Sequence, residues 1–274
     1  MRIAIQGELG SFSHEAALKM EPQATIVPCA FSTELFKLLE NDDVCAAVIP
    51  IENSLAGSVV EHFDLLFHSN VQIERESLLR IHHNLVGIPG SSIDGIRQVL
   101  SHPVALAQCR HFLGRHPAMT PVAFYDTAGS VKHVVGLGDK TAAAIASEQA
   151  ALAYGGEILA SGIEDNAANY TRFFLIRTNA RIRRLPHPDK VSIAFTVANR
   201  PGTLVSALQV FAEHNTNLCK VESRPVHGQP WQYVFYVDYQ VSDPAATSAA
   251  LDQLRRQCLL VKELGHYPAA PPPS

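Results

Sequence analysis

The chain has 274 residues, 47% apolar and 18% charged, enough for one large or two smaller globular domains with a sizeable core. Twenty-two Lys and Arg against 26 Asp and Glu give a net charge of −4 with no basic block, which argues against nucleic acid as partner. No run approaches the ~18 apolar residues of a membrane span, and the opening residues turn polar too soon for the ~7–15-residue core of a secretory signal, so a cytoplasmic protein is expected.

In chain order, short apolar runs alternate with helical patterns as far as about residue 178. A strand over 3–6, a helix over 14–20, a strand over 25–28, a helix over 33–40, a strand over 45–51 and a helix over 59–68 are predicted first. Strands over 84–87 and 98–101, a helix over 104–115, a strand over 122–125 and a helix over 128–136 follow. A strand over 141–146, a helix over 148–154 and strands over 157–160 and 172–176 complete the region. Strand-then-helix repetition predicts a mainly parallel sheet covered by helices.

Residues 179–190 carry Arg181, Arg183, Arg184, Pro186 and Pro188 with little apolar content and read as a linker. Beyond it, Val191, Ile193, Phe195 and Val197 alternate with small or polar residues, a half-buried strand. Pro201-Gly202 opens a helix whose Leu204, Leu208 and Phe211 share one face. Strands over 217–222 and 231–239 follow, then a helix capped by Asp243 with Pro244 in its first turn, then a strand over 261–267. The order βαββαβ is the ferredoxin-like arrangement. The proline-rich residues 268–274 are expected to be disordered.

The cysteines at 29, 45, 109, 219 and 258 are odd in number and form no C-x-x-C pair, which argues against a disulfide framework and a zinc site. His14-Glu15 lacks the second histidine of H-E-x-x-H, and His82-His83 are neighbours that point apart on a strand. Small polar residues instead gather in five loops, each at the carboxyl end of a predicted strand: Gln6–Ser13, Glu52–Ser58, Ser101–Pro103 with Gln108, Asp126–Ser130 and Ser147–Gln149. One such loop alone reads as an ordinary helix cap. Five on one sheet edge read as a cleft whose N–H groups and helix starts suit a small anion. No G-x-G-x-x-G and no P-loop order is present.

Gly10-Ser11-Phe12-Ser13, Pro50-Ile51-Glu52-Asn53-Ser54, Ser101-His102-Pro103 with Gln108-Cys109, and Asp165 through Asn169-Tyr170-Thr171-Arg172-Phe173 together resemble the prephenate dehydratase family. Pro201-Gly202-Thr203-Leu204 and Glu222-Ser223-Arg224-Pro225 resemble that family's regulatory ACT domain, and the likeness runs from Arg2 to about Tyr267. It implies a two-lobed, periplasmic-binding-protein-like α/β catalytic domain over 1–178, with a second lobe over about 80–160, and a ferredoxin-like ACT domain over 191–267. No chorismate mutase helices precede the first strand, which implies a monofunctional version.

The resemblance further implies conversion of prephenate to phenylpyruvate with loss of water and carbon dioxide, without cofactor or metal, under feedback by L-phenylalanine. The essential hydroxyl of the family falls on Thr171, as a hydrogen-bond donor to the departing oxygen. Arg172 is expected either to meet a substrate carboxylate or to hold the Thr171 turn by a salt bridge. Asn53, Ser54, Ser101, Gln108, Thr127 and Ser147 fall on substrate-facing positions, with Phe173 packing beneath Thr171; Glu52 and His102 read as structural. Gly202, Thr203, Leu204, Val205, Asn217, Leu218, Glu222, Ser223, Arg224 and Pro225 are the implied phenylalanine site, with Thr203 where the family usually has alanine. Arg224 either binds there or pairs with Glu222. Such modules bind ligand between paired copies, implying a homodimer or homotetramer. A non-catalytic small-molecule sensor and an arogenate dehydratase are the competing readings.

Overall fold

A computed structural model describes residues 1–226 and 228–272. The chain runs β1 (Arg2–Gln6), α1 (Phe12–Met20), β2 (Thr25–Cys29), α2 (Ser32–Glu40), β3 (Ala46–Asn53), β4 (Gly57–Ser58), α3 (Val60–His68) and β5 (Val71–Arg80). Then come β6 (Asn84–Gly87), β7 (Gln98–Ser101), α4 (Pro103–Ala107), α5 (Arg110–Arg115), β8 (Thr120–Ala123) and α6 (Thr127–Leu137). β9 (Ala142–Ala146), α7 (Glu148–Tyr154), β10 (Glu157–Ala160) and β11 (Tyr170–Thr178) follow. The last elements are β12 (Lys190–Thr196), α8 (Thr203–Glu213), β13 (Leu218–Pro225), β14 (Tyr233–Gln240), α9 (Pro244–Gln257) and β15 (Leu260–Tyr267).

The first region holds two sheets rather than one. In the first, with strand order β2-β1-β3-β11-β5, the strands β1, β2 and β3 are parallel. In the second, with order β10-β6-β9-β7-β8, the strands β7, β8 and β9 are parallel while β6 and β10 pair antiparallel. Ile3, Ile5, Ala46 and Val48 pack against Ala16, Ala17 and Met20 of α1 and against Phe173 and Leu175. The Ala-Ala-Ala-Ile-Ala run of β9 is buried throughout, feeding Ala143 and Ile145 to one core and Ala142, Ala144 and Ala146 to another. A strand covered on both faces shows a continuous apolar run, which is why these were legible.

Two expectations need correcting. The helix expected over 104–115 is broken at Gln108 and Cys109 into α4 and α5. The Asp165 carboxylate accepts the N–H groups of Arg110 (3.0 Å) and His111 (2.9 Å), starting a new helix there, while the Gln108 carbonyl accepts the Asp165 N–H at 2.7 Å. β5, the longest of the strands with ten residues, was not expected at all, because Glu74, Arg75 and Glu76 interrupt its apolar pattern. Glu74 is nonetheless buried: its carboxylate takes Arg177 Nε at 2.6 Å and is gripped by Arg183 of the linker.

By contacts the chain forms two compact units, one of Met1–His62 with Ser77–Leu175, the other of Phe63–Glu76 with Ile176–Ala270. The second unit is built on an antiparallel sheet of order β13-β14-β12-β15, the ferredoxin-like arrangement. α8 and α9 cover one face through Ala207, Val210, Phe211, Ala250, Leu251 and Leu254 against Val191, Ile193, Phe195, Val237 and Tyr239. The alternate residue Tyr236 donates from its hydroxyl to the carbonyl of Phe63, and Lys262 caps the end of α3 by donating to the carbonyls of Leu66, Phe67 and Ser69. In the expected tail, residues 268–272 form no helix or strand, yet Ala269 and Ala270 donate their N–H groups to Asp189 and Glu76. Pro273 and Ser274 lie outside the described residues. The five cysteines form no disulfide with one another, and no described helix is long and apolar enough to cross a membrane.

Candidate active site

At the carboxyl end of β3 the backbone grips Asn53 at both ends of its amide. Its Oδ1 accepts the N–H groups of Leu55 (3.0 Å) and Ala56 (2.8 Å), an Asx turn into β4. Its Nδ2 donates to the Tyr170 carbonyl (3.2 Å), to Asn169 Oδ1 (2.7 Å) and to Thr171 Oγ1 (2.9 Å). Backbone groups cannot exchange donor for acceptor, so this amide has one orientation. Thr171, 8% exposed at the start of β11, therefore accepts from Asn53 and keeps its own O–H proton to donate elsewhere.

The arrangement continues into the loops of the second sheet. Asn169, fully buried, donates from Nδ2 to Gln108 Oε1 at 3.0 Å, and Gln108 Nε2 approaches Asn53 Oδ1 at 3.5 Å, closing a ring of three amides. The helix break at Gln108 is what allows its side chain to turn into this ring. His83, 2% exposed, lies 2.9 Å from the same Gln108 oxygen through Nε2 and stands edge-on to Phe12 with ring centres 5.7 Å apart. Burial pushes the His83 imidazole below its ordinary pKa, only partly offset by Gln108 and Glu164, so the ring is neutral.

The other expected residues divide by what their side chains already hold. Ser54 donates to the Ala168 carbonyl and accepts the Tyr170 N–H, bracing the turn that carries Asn169. Ser147 caps α7 and donates to the Gly10 carbonyl at 2.6 Å, tying the loop after β9 to the loop after β1. Gly10 has φ +82°, and a Cβ there would lie 2.5 Å from Ala150 Cα, so this approach requires glycine. Thr127 opens α6 behind its cap Asp126. Ser101 is fully buried and its hydroxyl donates to the Ile145 carbonyl, which fastens β7 to β9.

Phe173 is a core residue beside Ile3, Ile5 and Leu175. Side chains alternate along β11, which sets Arg172 on the face opposite Thr171 and Phe173, with its guanidinium 4.6 Å from the Phe174 ring. His83 and Asn169 are the two members of the polar cluster that sequence reasoning did not assign. Asn169 sat inside the motif, while His83 was set aside as half of a doublet.

A second set of bonds crosses between the loops of the two sheets. The Glu8 carboxylate accepts from Lys132 (3.0 Å), Tyr125 (3.2 Å) and Tyr154 (3.4 Å). Burial and this carboxylate raise the Tyr154 phenol to about 12. Burial also raises the Asp126 carboxyl, with N–H bonds from its own helix start opposing. Among the described residues no group of three His, Cys, Asp or Glu is placed to hold a metal ion.

In the second unit, strand register sets Thr196, Val234 and Arg224 in one row, and Gly202 begins α8 six residues after Thr196 at φ +85°. The Thr203 hydroxyl is engaged within its own turn, its one proton shared between the carbonyls of Ala198 (2.7 Å) and Arg200 (2.9 Å). Leu204 and Leu218 pack on the core, Val205 is exposed, and Asn217 donates to Gln240. On the edge strand β13, Ser223 and Pro225 are exposed. Arg224 pairs with Asp64 of α3 at 3.1 Å and Glu222 with Lys220 at 3.4 Å.

Comparison with known proteins matches residues 3–181 to the family model described as prephenate dehydratase. Arogenate dehydratase/prephenate dehydratase 2, chloroplastic, of Arabidopsis thaliana is 39% identical over 98% of this chain and 73% of its own length. Among solved structures, prephenate dehydratase from Arthrobacter aurescens in complex with L-Phe superposes with a TM-score of 0.89 at 29% identity, over 97% of this chain and 89% of that one. GqqA, described as a novel type of quorum quenching acylase, superposes at 0.90 with 34% identity over 99% of both chains.

Proposed function

This chain belongs to the prephenate dehydratase family, and we propose on that basis that it converts prephenate to phenylpyruvate in phenylalanine biosynthesis. One ring carboxylate leaves as carbon dioxide, and the electron pair of the broken C–C bond enters the ring. The C–O bond to the ring hydroxyl breaks, hydroxide takes up one proton to leave as water, and the ring becomes aromatic. The Thr171 O–H donates to the departing oxygen. Its pKa is too high for a standing proton donor, so it acts by hydrogen bonding where charge develops, with solvent supplying the net proton. Gln108 presents N–H groups to the anion, and Asn169 holds the Asn53 and Gln108 amides in place.

The observation that carries this reading is the 2.9 Å contact from Asn53 Nδ2 to Thr171 Oγ1, with the amide oriented by backbone on both sides. Its test is purified protein with prephenate at neutral pH, following phenylpyruvate. Turnover well above the buffer control is expected, and none would overturn the assignment. Binding without product would mark a sensor instead. Arogenate, with an ammonium in place of the keto group, is run beside it; prephenate is the substrate expected to show the higher kcat/KM.

The likeness to GqqA raises acyl-amide cleavage as a second reading. That chemistry needs a nucleophile activated by a base. Thr171 Oγ1 is bonded by the amide of Asn53, a donor, which does not activate it. No release from an acyl-amide substrate is expected.

Regulation by L-phenylalanine is proposed for the second unit, through residues 202–205, 217–218 and 222–225, with the open edge of β13 available to a second copy in a homodimer or homotetramer. Five cysteines without a disulfide between them suit a reducing cytoplasm, which is the compartment proposed.

A further inference from the structure

The ring of amides has a direction that can be followed from backbone to imidazole. Asn53 is fixed by two backbone N–H groups and one backbone carbonyl, so Asn169 must offer Oδ1 to it and turn Nδ2 outward. Gln108 then accepts with Oε1. The nitrogen of His83 that lies 2.9 Å from that oxygen must carry a hydrogen, since two acceptors cannot bond to each other. His83 is therefore the Nε2–H tautomer, and Nδ1 is a bare lone pair. The structure agrees independently: Nδ1 is buried and meets no hydrogen-bonding partner among the described residues. An orphaned acceptor is tolerated better inside a protein than an orphaned N–H.

This tautomer has a consequence at Gln108. With two donors on Oε1, its amide oxygen is held inward, and Nε2 has only the long 3.5 Å contact to Asn53 Oδ1, which already takes two backbone N–H groups. The Gln108 hydrogens are then available to an oxygen anion. A flipped amide would present its oxygen to the same anion and repel it.

We propose that His83 is a positioning residue of this site: as the Nε2–H tautomer it locks the Gln108 amide with its oxygen inward and its N–H groups offered to the anionic substrate. The proposal rests on the dehydratase reading above. His83 makes its ring's polar contact with Gln108 and not with Thr171. It acts through Gln108, as outer partners of ligating groups commonly do.

The test has two arms. Long-range proton–nitrogen correlation spectra at neutral pH, with His83 identified by the signal lost in His83→Phe, are expected to show Nε2 protonated and Nδ1 bare. A protonated Nδ1 overturns the proposal whether or not the protein turns over prephenate. In kinetics, His83→Phe keeps the ring packed on Phe12 but removes the donor, and KM for prephenate is expected to rise about tenfold with kcat within about threefold. His83→Gln, which restores an N–H near Nε2, is expected to recover most of that loss. The double variant His83→Phe/Gln108→Met is expected to be no worse than Gln108→Met alone, because one residue works through the other. Additive losses, or an unchanged KM in His83→Phe, would refute the positioning role while leaving wild-type turnover, and with it the dehydratase reading, intact.

Discussion

At the scale of single residues, the chemistry depends on which way a hydroxyl points. A threonine is a poor acid, so Thr171 is useful only if its proton is free and directed, and the amide of Asn53 ensures the first by donating to its oxygen. Asn53→Asp tests this with almost no change of shape. Carboxylate oxygens still accept from Leu55 and Ala56, but the other oxygen now accepts the Thr171 proton and faces a dianion. A fall in kcat of about 10²–10³ is expected, the scale of one lost donor in a preorganised site, and the unfolding midpoint falls with it because the new oxygen also meets the Tyr170 carbonyl and Asn169 Oδ1. Activity within tenfold of wild type would contradict the role given to Asn53. Asn53, Gln108 and Thr171 were legible as motif positions. His83 was not: nothing in a histidine doublet says which ring is buried or what meets it.

Secondary-structure elements show where charge hides a signal. β1, β3, β7 and β9 read plainly because both faces are apolar, whereas in β5 Glu74 and Glu76 break the apolar pattern and no element is predicted. Its carboxylates are buried because partners far away in sequence come to them: Arg177 and Arg183 for Glu74, Lys190 for Glu76. The split between α4 and α5 was hidden for the same reason, as its cause, Asp165, lies 55 residues away. For Glu74, burial favours the neutral acid, but hydrogen bonds from Arg183 and Arg177 outweigh it and hold the carboxyl below its ordinary 4.5. A folded-state pKa lower than the unfolded one stabilises at pH above the unfolded value, and the stabilisation is lost as pH falls through the folded value. The melting temperature should therefore drop on acidification below about pH 4.5, and less steeply in Glu74→Gln. Glu74→Ala, which removes the buried carboxylate shared by Arg177 and Arg183, should cost about 3–5 kcal/mol by denaturant titration. Parallel acid profiles for wild type and Glu74→Gln would show that the pair does not supply this stability.

For the whole molecule, the sequence already separated a βα-alternating region from a βαββαβ region, because the period of the apolar pattern changes at the arginine- and proline-rich segment between them. It could not show that residues 63–76 join the second compact unit, since that depends on contacts such as Tyr236 with Phe63 and Lys262 with the end of α3. If phenylalanine regulates through this unit, its effect is a coupling energy of about 1–3 kcal/mol between two sites. Adding L-phenylalanine should raise the melting temperature and lower prephenate turnover together. The Thr203 hydroxyl is engaged within its own turn, so Thr203→Ala should leave the half-inhibiting concentration within about threefold of wild type, while the lost turn bond lowers stability by about 1 kcal/mol. A large change in inhibition would mean that this hydroxyl faces the ligand.

The most direct test of the catalytic assignment is Thr171→Val, which keeps the branched shape and removes only the hydroxyl. Single-turnover conversion of bound prephenate should slow by about 10²–10³ while prephenate affinity, thermal stability and L-phenylalanine binding stay near wild type. Conversion at the wild-type rate by this variant would contradict it.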